Sequence, residues 1–468
     1  MKRIYIIIAI IASLVGGVGC SDYLDDPKPT DVLTPTEIYG SEEGVQAYFS
    51  GIYRLFRAQY IRTDMGGVYS MYYSRSVKGN DLIQDSWYNF DYAHENREPT
   101  YTRVRGDWQF CYEGVKHANI LIKEISISTS LSDEAKVLLD AEAKGLRAFF
   151  YFQLYLEYYS KDSGLQTPPL YTEPVVEASG MSDPAAFEAL MIQDINDAVA
   201  GLTDDRINKS YMNKTVANGL KARILMALDR DWDQIEVAAN AAYGGDANSA
   251  LDASIYDGGF ADLSDSEVIW SMDQQSDQSN YYYIAPHAFS DHNADAYFGM
   301  FVNATFVDTF SATDVRNEFN NIYGGDPGSY YEYVTDKFVF AFDSDMHLMR
   351  TAEMVLIDAE ANYRNGDETT AHNLLYALQL DRDVNAVKST NTGVALLEEI
   401  LLERRKELYA ELGIEWFDAK RLVRGITRDA NHRVEVTLAP NDKRFFLKIP
   451  QNEIDSNDNI DDTVNDNR

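Results

Sequence analysis

Residues 132–158 carry apolar side chains at the 3.6-residue spacing of a helix on almost every face, and this run constrains the fold more than any other part of the chain. Ser132 is placed as an N-cap, with Asp133 and Glu134 in the first turn, where carboxylates suit the helix dipole. Leu139, Ala143, Leu146, Phe150 and Leu154 recur on one stripe, and Phe149, Tyr151, Phe152, Tyr155 and Tyr158 fill the flanks. A helix that is apolar all round must be enclosed by other elements, so this one is expected at the centre of a helical array. A second span starts at Val216, repeats the pattern through Leu220, Ile224, Ala227 and Leu228, turns at Arg230-Asp231 and continues to Ala242. A third runs from Leu348 through Ala352, Val355, Leu356, Ala359 and Tyr363 to Gly366, with a partner from Asp367 to about Leu380. A last long helix is expected from Val394 to Leu412, stopped by Gly413. Helix pairs around short turns predict an all-α, tetratricopeptide-like solenoid, although the tight consensus of that repeat is absent.

Between the helical spans lie two long stretches, about 61–105 and 244–345, rich in aromatic residues, Gly and Asp. The first contains Trp87-Tyr88-Asn89-Phe90-Asp91-Tyr92 bracketed by Asp81, Asp85 and Arg97; the second contains Tyr281-Tyr282-Tyr283 after Asp273 to Gln278. A sugar ring offers an apolar CH face and a rim of hydroxyls. An aromatic plane covers the first, and Asn, Asp or Arg bonds the second. The competing reading is that these rings belong to hairpins or to the core.

At the N-terminus, Met-Lys-Arg precedes an apolar run from Ile4 to Val18, then Gly19 and Cys20. That run is shorter than the roughly 20 residues of a bilayer span and fits a cleaved signal peptide over 1–19. With 41 Lys+Arg against 75 Asp+Glu, the net charge of −34 excludes a nucleic-acid partner, which needs a basic face. Two cysteines, Cys20 and Cys111, are too few for a disulfide framework.

Cys20 at the end of the signal resembles a bacterial lipobox, which implies lipid attachment at this thiol, and the acidic segment 20–40 is similar to the tether that exports lipoproteins to the outer face of the outer membrane. Further along, Trp108, Tyr112 and Asn119, then Glu142-Ala143-Lys144-Gly145-Leu146-Arg147-Ala148-Phe149-Phe150-Tyr151, closely resemble the SusD/RagB family of nutrient-binding outer-membrane lipoproteins. Pro168-Pro169-Leu170, Lys221-Ala222-Arg223 with Trp232, Arg350 to Glu360, Glu403 to Leu408 leading into Trp416 to Arg421, and Ile449 to Ile454 match in order. Glu415 stands where the family carries Arg, and Asn457-Asp458 where it carries Asn-Pro. The resemblance implies one SusD-like domain over 41–468, with the helical scaffold mainly in 41–60, 106–160, 184–243 and 346–425 and the ligand face in 61–105 and 244–345. It implies a surface-anchored, non-catalytic binder of glycan that serves a SusC-like TonB-dependent transporter barrel. Glu403, Arg404, Trp416 and Arg421 are then packing residues. The expected ligand residues are Trp87, Asp85, Asn89, Arg97, Tyr281, Tyr282 and Tyr283. A peptide-binding member of the family and an anchored hydrolase remain the alternatives.

Neither a cofactor nor a metal is expected. No nucleophile elbow, Walker loop, dinucleotide glycine motif or His-Glu-x-x-His helix occurs. His287 and His292, the nearest histidine pair, read as solvated loop imidazoles. Asp455, Asn457, Asn459, Asp461 and Asp466 mimic a calcium loop, yet Ile460 occupies the glycine position, and a solvated acidic tail fits better.

Overall fold

The structure, a computed structural model, describes residues 38–57, 62–174, 177–277, 286–294 and 296–468. Helix α1 spans Glu42–Phe56 behind an N-cap at Ser41, and α2, Val68–Ser76, is buried along its whole length. The short strand β1 is Leu82–Gln84. Two long helices follow, α3 over Thr102–Ile127 and α4 over Asp133–Tyr158. Ser132 caps α4 as its sequence predicts, the hydroxyl accepting from the Ala135 N–H at 3.1 Å. Next come α5, Pro184–Gly201, with proline in its first turn, then α6, Lys214–Leu228, and α7, Trp232–Tyr243. Asp229 and Asp231, both left-handed, make the tight turn between α6 and α7.

Each helix from α3 to α7 packs on the next, and the series continues through α8, Thr351–Asn365, and α9, Glu368–Arg382. Gly366, at φ 89°, closes α8 in the left-handed conformation that glycine adopts without a Cβ penalty. This is a solenoid of helix pairs, as expected. Helix α4 is its centre, packed between α3 and α5 with Phe149, Phe150, Tyr151 and Leu154 excluded from solvent. The approach of α3 and α4 needs Gly114, because a Cβ there would run into the Phe150 ring.

Because α7 packs directly on α8, residues 244–345 leave the solenoid and return to it at one joint. Strand β2, Val268–Met272, pairs antiparallel with β6, Met346–Arg350, and closes the base of the excursion. Within it lie β3, Met300–Val302, and the two-residue strands β4, Phe319–Asn320, and β5, Val334–Thr335. A buried ionic cluster pins the joint. Glu407 accepts from Arg316 at 3.2 Å, Arg350 at 3.0 Å and Arg382 at 3.0 Å, and Glu267 accepts from Arg350 at 3.0 Å and Arg382 at 2.5 Å. The three guanidiniums hold the Glu407 carboxyl well below its ordinary pKa despite burial.

Three elements differ from expectation. Leu348 belongs to β6, and the helix starts only at Thr351, because β2 claims the backbone of Met346–Arg350 for its ladder. Helix α10, Val394–Leu408, stops short of Leu412: the Lys337 ammonium takes the carbonyls of Glu407 at 2.9 Å and Tyr409 at 3.1 Å, and Ala410 turns left-handed. Gly413 is therefore the N-cap residue of α11, Ile414–Arg421, where its φ of 73° and the Arg75 backbone against it leave no room for a Cβ. The C-terminal segment keeps its acids in solvent but is docked. Asn457 and Asn459 donate to the carbonyls of Ser179 at 2.9 Å and Ala178 at 2.7 Å, and Ile460 and Arg468 are buried.

No helix of the described residues is long and apolar enough to cross a membrane. Glu403, Arg404, Trp416 and Arg421 are buried among scaffold helices, with Arg404 and Arg421 both paired to Asp418.

Candidate functional site

The two non-solenoid stretches share a second hydrophobic core, built from Tyr73, Ile83, Tyr88, Tyr92, Phe260, Phe289, Phe301 and Phe306. Antiparallel pairing of β1 with β3, Leu82 against Val302 and Gln84 against Met300, joins them. Val302 in turn bridges Tyr333 next to β5, so a narrow floor of short strands lies under residues from both stretches.

On that floor the turn after β1 separates its aromatics by side. Tyr88 points in, its ring 4.7 Å from Tyr73 and 5.5 Å from Phe289, and Tyr92 is buried over the Arg428 guanidinium. Trp87, at φ 41°, points out and remains 44% exposed. Its ring meets Tyr297 edge-on at 4.6 Å, and Tyr297 lies stacked on Phe289 at 5.4 Å. Offset and edge-on ring pairs of this kind are the favoured geometries, and they fix ring planes that would otherwise rotate.

The polar members are gathered by one cation that sequence reading missed. Arg433 sits between β7, Ile426–Thr427, and β8, Thr437–Leu438, far along the chain from the turn it holds. Its Nη1 donates to the Gln84 carbonyl at 2.7 Å, the Asp85 carbonyl at 2.9 Å and Asn89 Oδ1 at 3.1 Å, and its Nε pairs with Asp85 Oδ1 at 3.1 Å. Its guanidinium carbon lies 5.7 Å from the centre of the Tyr330 ring, which packs against Tyr331. Asp85 and Asn89 are thus brought beside Trp87. The contacts of Arg97 are elsewhere: its Nε donates to the Phe446 carbonyl at 3.3 Å, and partial burial lowers its pKa. Cys20, Tyr281, Tyr282 and Tyr283 lie outside the described residues.

The β7–β8 hairpin is itself anchored. Asp429 accepts from Asn80 at 3.1 Å, Asn303 at 2.8 Å and Thr305 at 2.6 Å, tying the hairpin to both stretches. Tyr297, Tyr330 and Arg433 were the residues missed. Only the Tyr330-Tyr331 doublet in a Gly- and Asp-rich run carried a local signal, whereas Arg433 becomes visible only when the hairpin folds back.

His287 and His292 are buried, contrary to the expectation of solvated imidazoles, because both serve the second core. His287 bonds the Phe260 carbonyl at 3.0 Å, and burial lowers its pKa to about 4; His292 bonds the Met300 carbonyl at 2.9 Å and the Tyr323 hydroxyl at 2.8 Å. Burial raises Asp107, Glu142, Glu318 and Glu415 to about 7; Asp107 and Glu142 are enclosed, whereas Glu318 and Glu415 are half-buried. Glu415 receives the N–H groups of Asn80 and Asp81, at 2.6 and 3.1 Å, which gives this residue a structural task in place of the family's arginine. A cavity of about 890 Å³, lined by Leu55, Trp108, Tyr112, Glu113, Tyr171 and Glu453 among others, shares no residue with the platform. Its size suits a ligand, but Trp108 is almost fully buried and already bonded to Glu453, and Tyr112 to the Pro169 carbonyl. The outward ring pair with its polar rim is the better candidate.

Comparison with known proteins places this arrangement. A family model described as starch-binding associating with outer membrane matches residues 22–225, and one described as the SusD family matches 341–465. The chain is 22% identical over 302 residues to SusD-like protein P25 of Formosa agariphila, a match that covers 59% of this chain and spans about half (53%) of that relative's length. Among solved structures, a SusD-like carbohydrate binding protein from Bacteroides vulgatus superposes with a TM-score of 0.81 at 24% identity, covering 90% of this chain and 97% of that one. Surface glycan-binding protein A from Bacteroides thetaiotaomicron, in complex with laminarihexaose, does so with a TM-score of 0.70 at 16% identity, covering 88% and 97%. With the helical-pair fold and two family models matching in order, over 22–225 and 341–465, the chain is similar to the SusD/RagB family along both segments.

Proposed function

We propose that the protein is a cell-surface, non-catalytic lipoprotein that captures oligosaccharide and hands it to a SusC-like TonB-dependent transporter in the outer membrane. The observation that carries this reading is the exposed Trp87 ring, paired with the half-buried Tyr297 ring, beside Arg433, Asp85 and Asn89. Rings offer the flat apolar surface that a sugar face covers, and the fork of Arg433 with its two partners offers donors and acceptors for hydroxyls. Tyr281, Tyr282 and Tyr283, outside the described residues, are kept in this reading as ligand residues on their sequence alone. Arg97, whose Nε is bonded to the Phe446 carbonyl, is kept in this reading as a ligand residue on its sequence position alone. Laminarihexaose bound to a structural neighbour and the starch-binding description of the N-terminal family model favour glycan as cargo.

Lipid on Cys20 provides the anchor in this account. The test is purification of the native protein in mild detergent. A long-lived lid on a barrel buries about 2,000 Å² or more, so a TonB-dependent transporter should copurify in comparable amount. Recovery of this chain alone would remove the handover step.

A further inference from the structure

Building on the glycan reading, we infer that the platform takes neutral oligosaccharides and turns away polyanionic ones such as uronate or sulfated glycans. The inference comes from where the positive charge around the platform is placed. In 244–345 the only Lys or Arg residues are Arg316 and Lys337, and both are buried and paired, the first with Asp314, Glu403 and Glu407, the second with Glu411. The segment 82–92, which carries Trp87, has no cation at all. Arg428, on the β7–β8 hairpin, is buried beneath Tyr92 with its guanidinium bonded to the carbonyls of Val77, Gly79 and Tyr92.

One cation therefore serves the rings, and it is already balanced. Arg433 is paired with Asp85 and spends its Nη1 on three acceptors, and among the described residues no hydrogen bond engages its Nη2. Beside it, Asp85 Oδ2 and the Asn89 amide nitrogen also have no hydrogen bond among the described residues. A donor, an acceptor and a second donor with no net charge match the hydroxyl rim of a neutral sugar. A carboxylate or sulfate would meet the one remaining amino group of a compensated guanidinium and, beside it, a carboxylate. The field of a chain with net charge −34 adds to the repulsion of a polyanion.

The experiment titrates the full-length protein in detergent with neutral hexasaccharides (laminarihexaose, maltohexaose, cellohexaose and xylohexaose) and with hexagalacturonate, at about 0.02 M and about 0.3 M salt. At least one neutral member should bind with an affinity indifferent to salt, and hexagalacturonate should bind at least about tenfold more weakly and improve as salt screens the repulsion. Asp85→Asn, which leaves Arg433 uncompensated, should narrow that gap. Tightest binding by hexagalacturonate, weakening with salt, overturns the inference while leaving glycan capture intact. Binding of no oligosaccharide at all overturns glycan capture and the inference with it.

Discussion

Trp87 and Tyr297 come from the two separate non-solenoid stretches yet meet edge-on at 4.6 Å, held together by the pairing of β1 with β3. Trp87 is 44% exposed, and in the proposed reading its ring serves the ligand more than the fold. Trp87→Ala is expected to weaken oligosaccharide affinity by about 2 kcal/mol, roughly thirtyfold, with little change in Tm. Calorimetric titration and a melting curve on the same sample check this. A collapsed Tm with unaltered affinity per folded molecule would make Trp87 a packing residue.

At the joint where the excursion rejoins the solenoid, Glu407 is the shared acceptor of Arg316, Arg350 and Arg382. Glu407→Gln leaves three buried guanidiniums short of a counter-charge and should destabilise the fold by about 3–5 kcal/mol in urea unfolding. Glu398→Gln, which breaks an exposed pair with Arg424, should cost less than about 1 kcal/mol. Equal effects from the two substitutions would show that burial of the cluster confers nothing.

The two directions of carboxyl shift predict opposite limbs of a pH profile. Glu411, held at about 2 by Arg350 and Lys337 against the cost of burial, stabilises the fold above the unfolded value near 4.5, and that contribution is lost as pH falls toward 2. Glu142 is raised to about 7 by burial, opposed by the Tyr53 hydroxyl that donates to it at 2.8 Å. Its contribution is present at and below pH 4.5 and is lost as pH rises through 7. Glu142→Gln keeps an acceptor for Tyr53 and should flatten part of the decline between pH 4.5 and 7. Parallel profiles for the variant and the parent protein would refute the assignment.

The helical scaffold was legible because its signals are local. Ser132 caps α4, Gly366 ends α8, and the all-round apolar pattern of 139–158 demands a central helix, each within a few residues. Signals failed where a distant partner decides. Lys337 takes the carbonyls that would have carried α10 to Gly413, and β2 takes the backbone of Leu348. The site shows the same division. Its exposed rings stood out in a polar stretch at Trp87, and the two stretches were read as a shared face. Arg433, Tyr297 and Tyr330 join it only through strand pairing and the folding back of a C-terminal hairpin, which no window of sequence displays. The histidines misled because a loop position says nothing of burial when loops build their own core.

The measurement that bears most directly on glycan capture at this platform is a crystal structure of the protein with a bound neutral oligosaccharide. The account predicts a sugar ring lying against Trp87 or Tyr297, with a hydroxyl within hydrogen-bond distance of Arg433 Nη2. A sugar seated instead in the 890 Å³ cavity beside Tyr112 and Tyr171, with the Trp87 face bare, would contradict it.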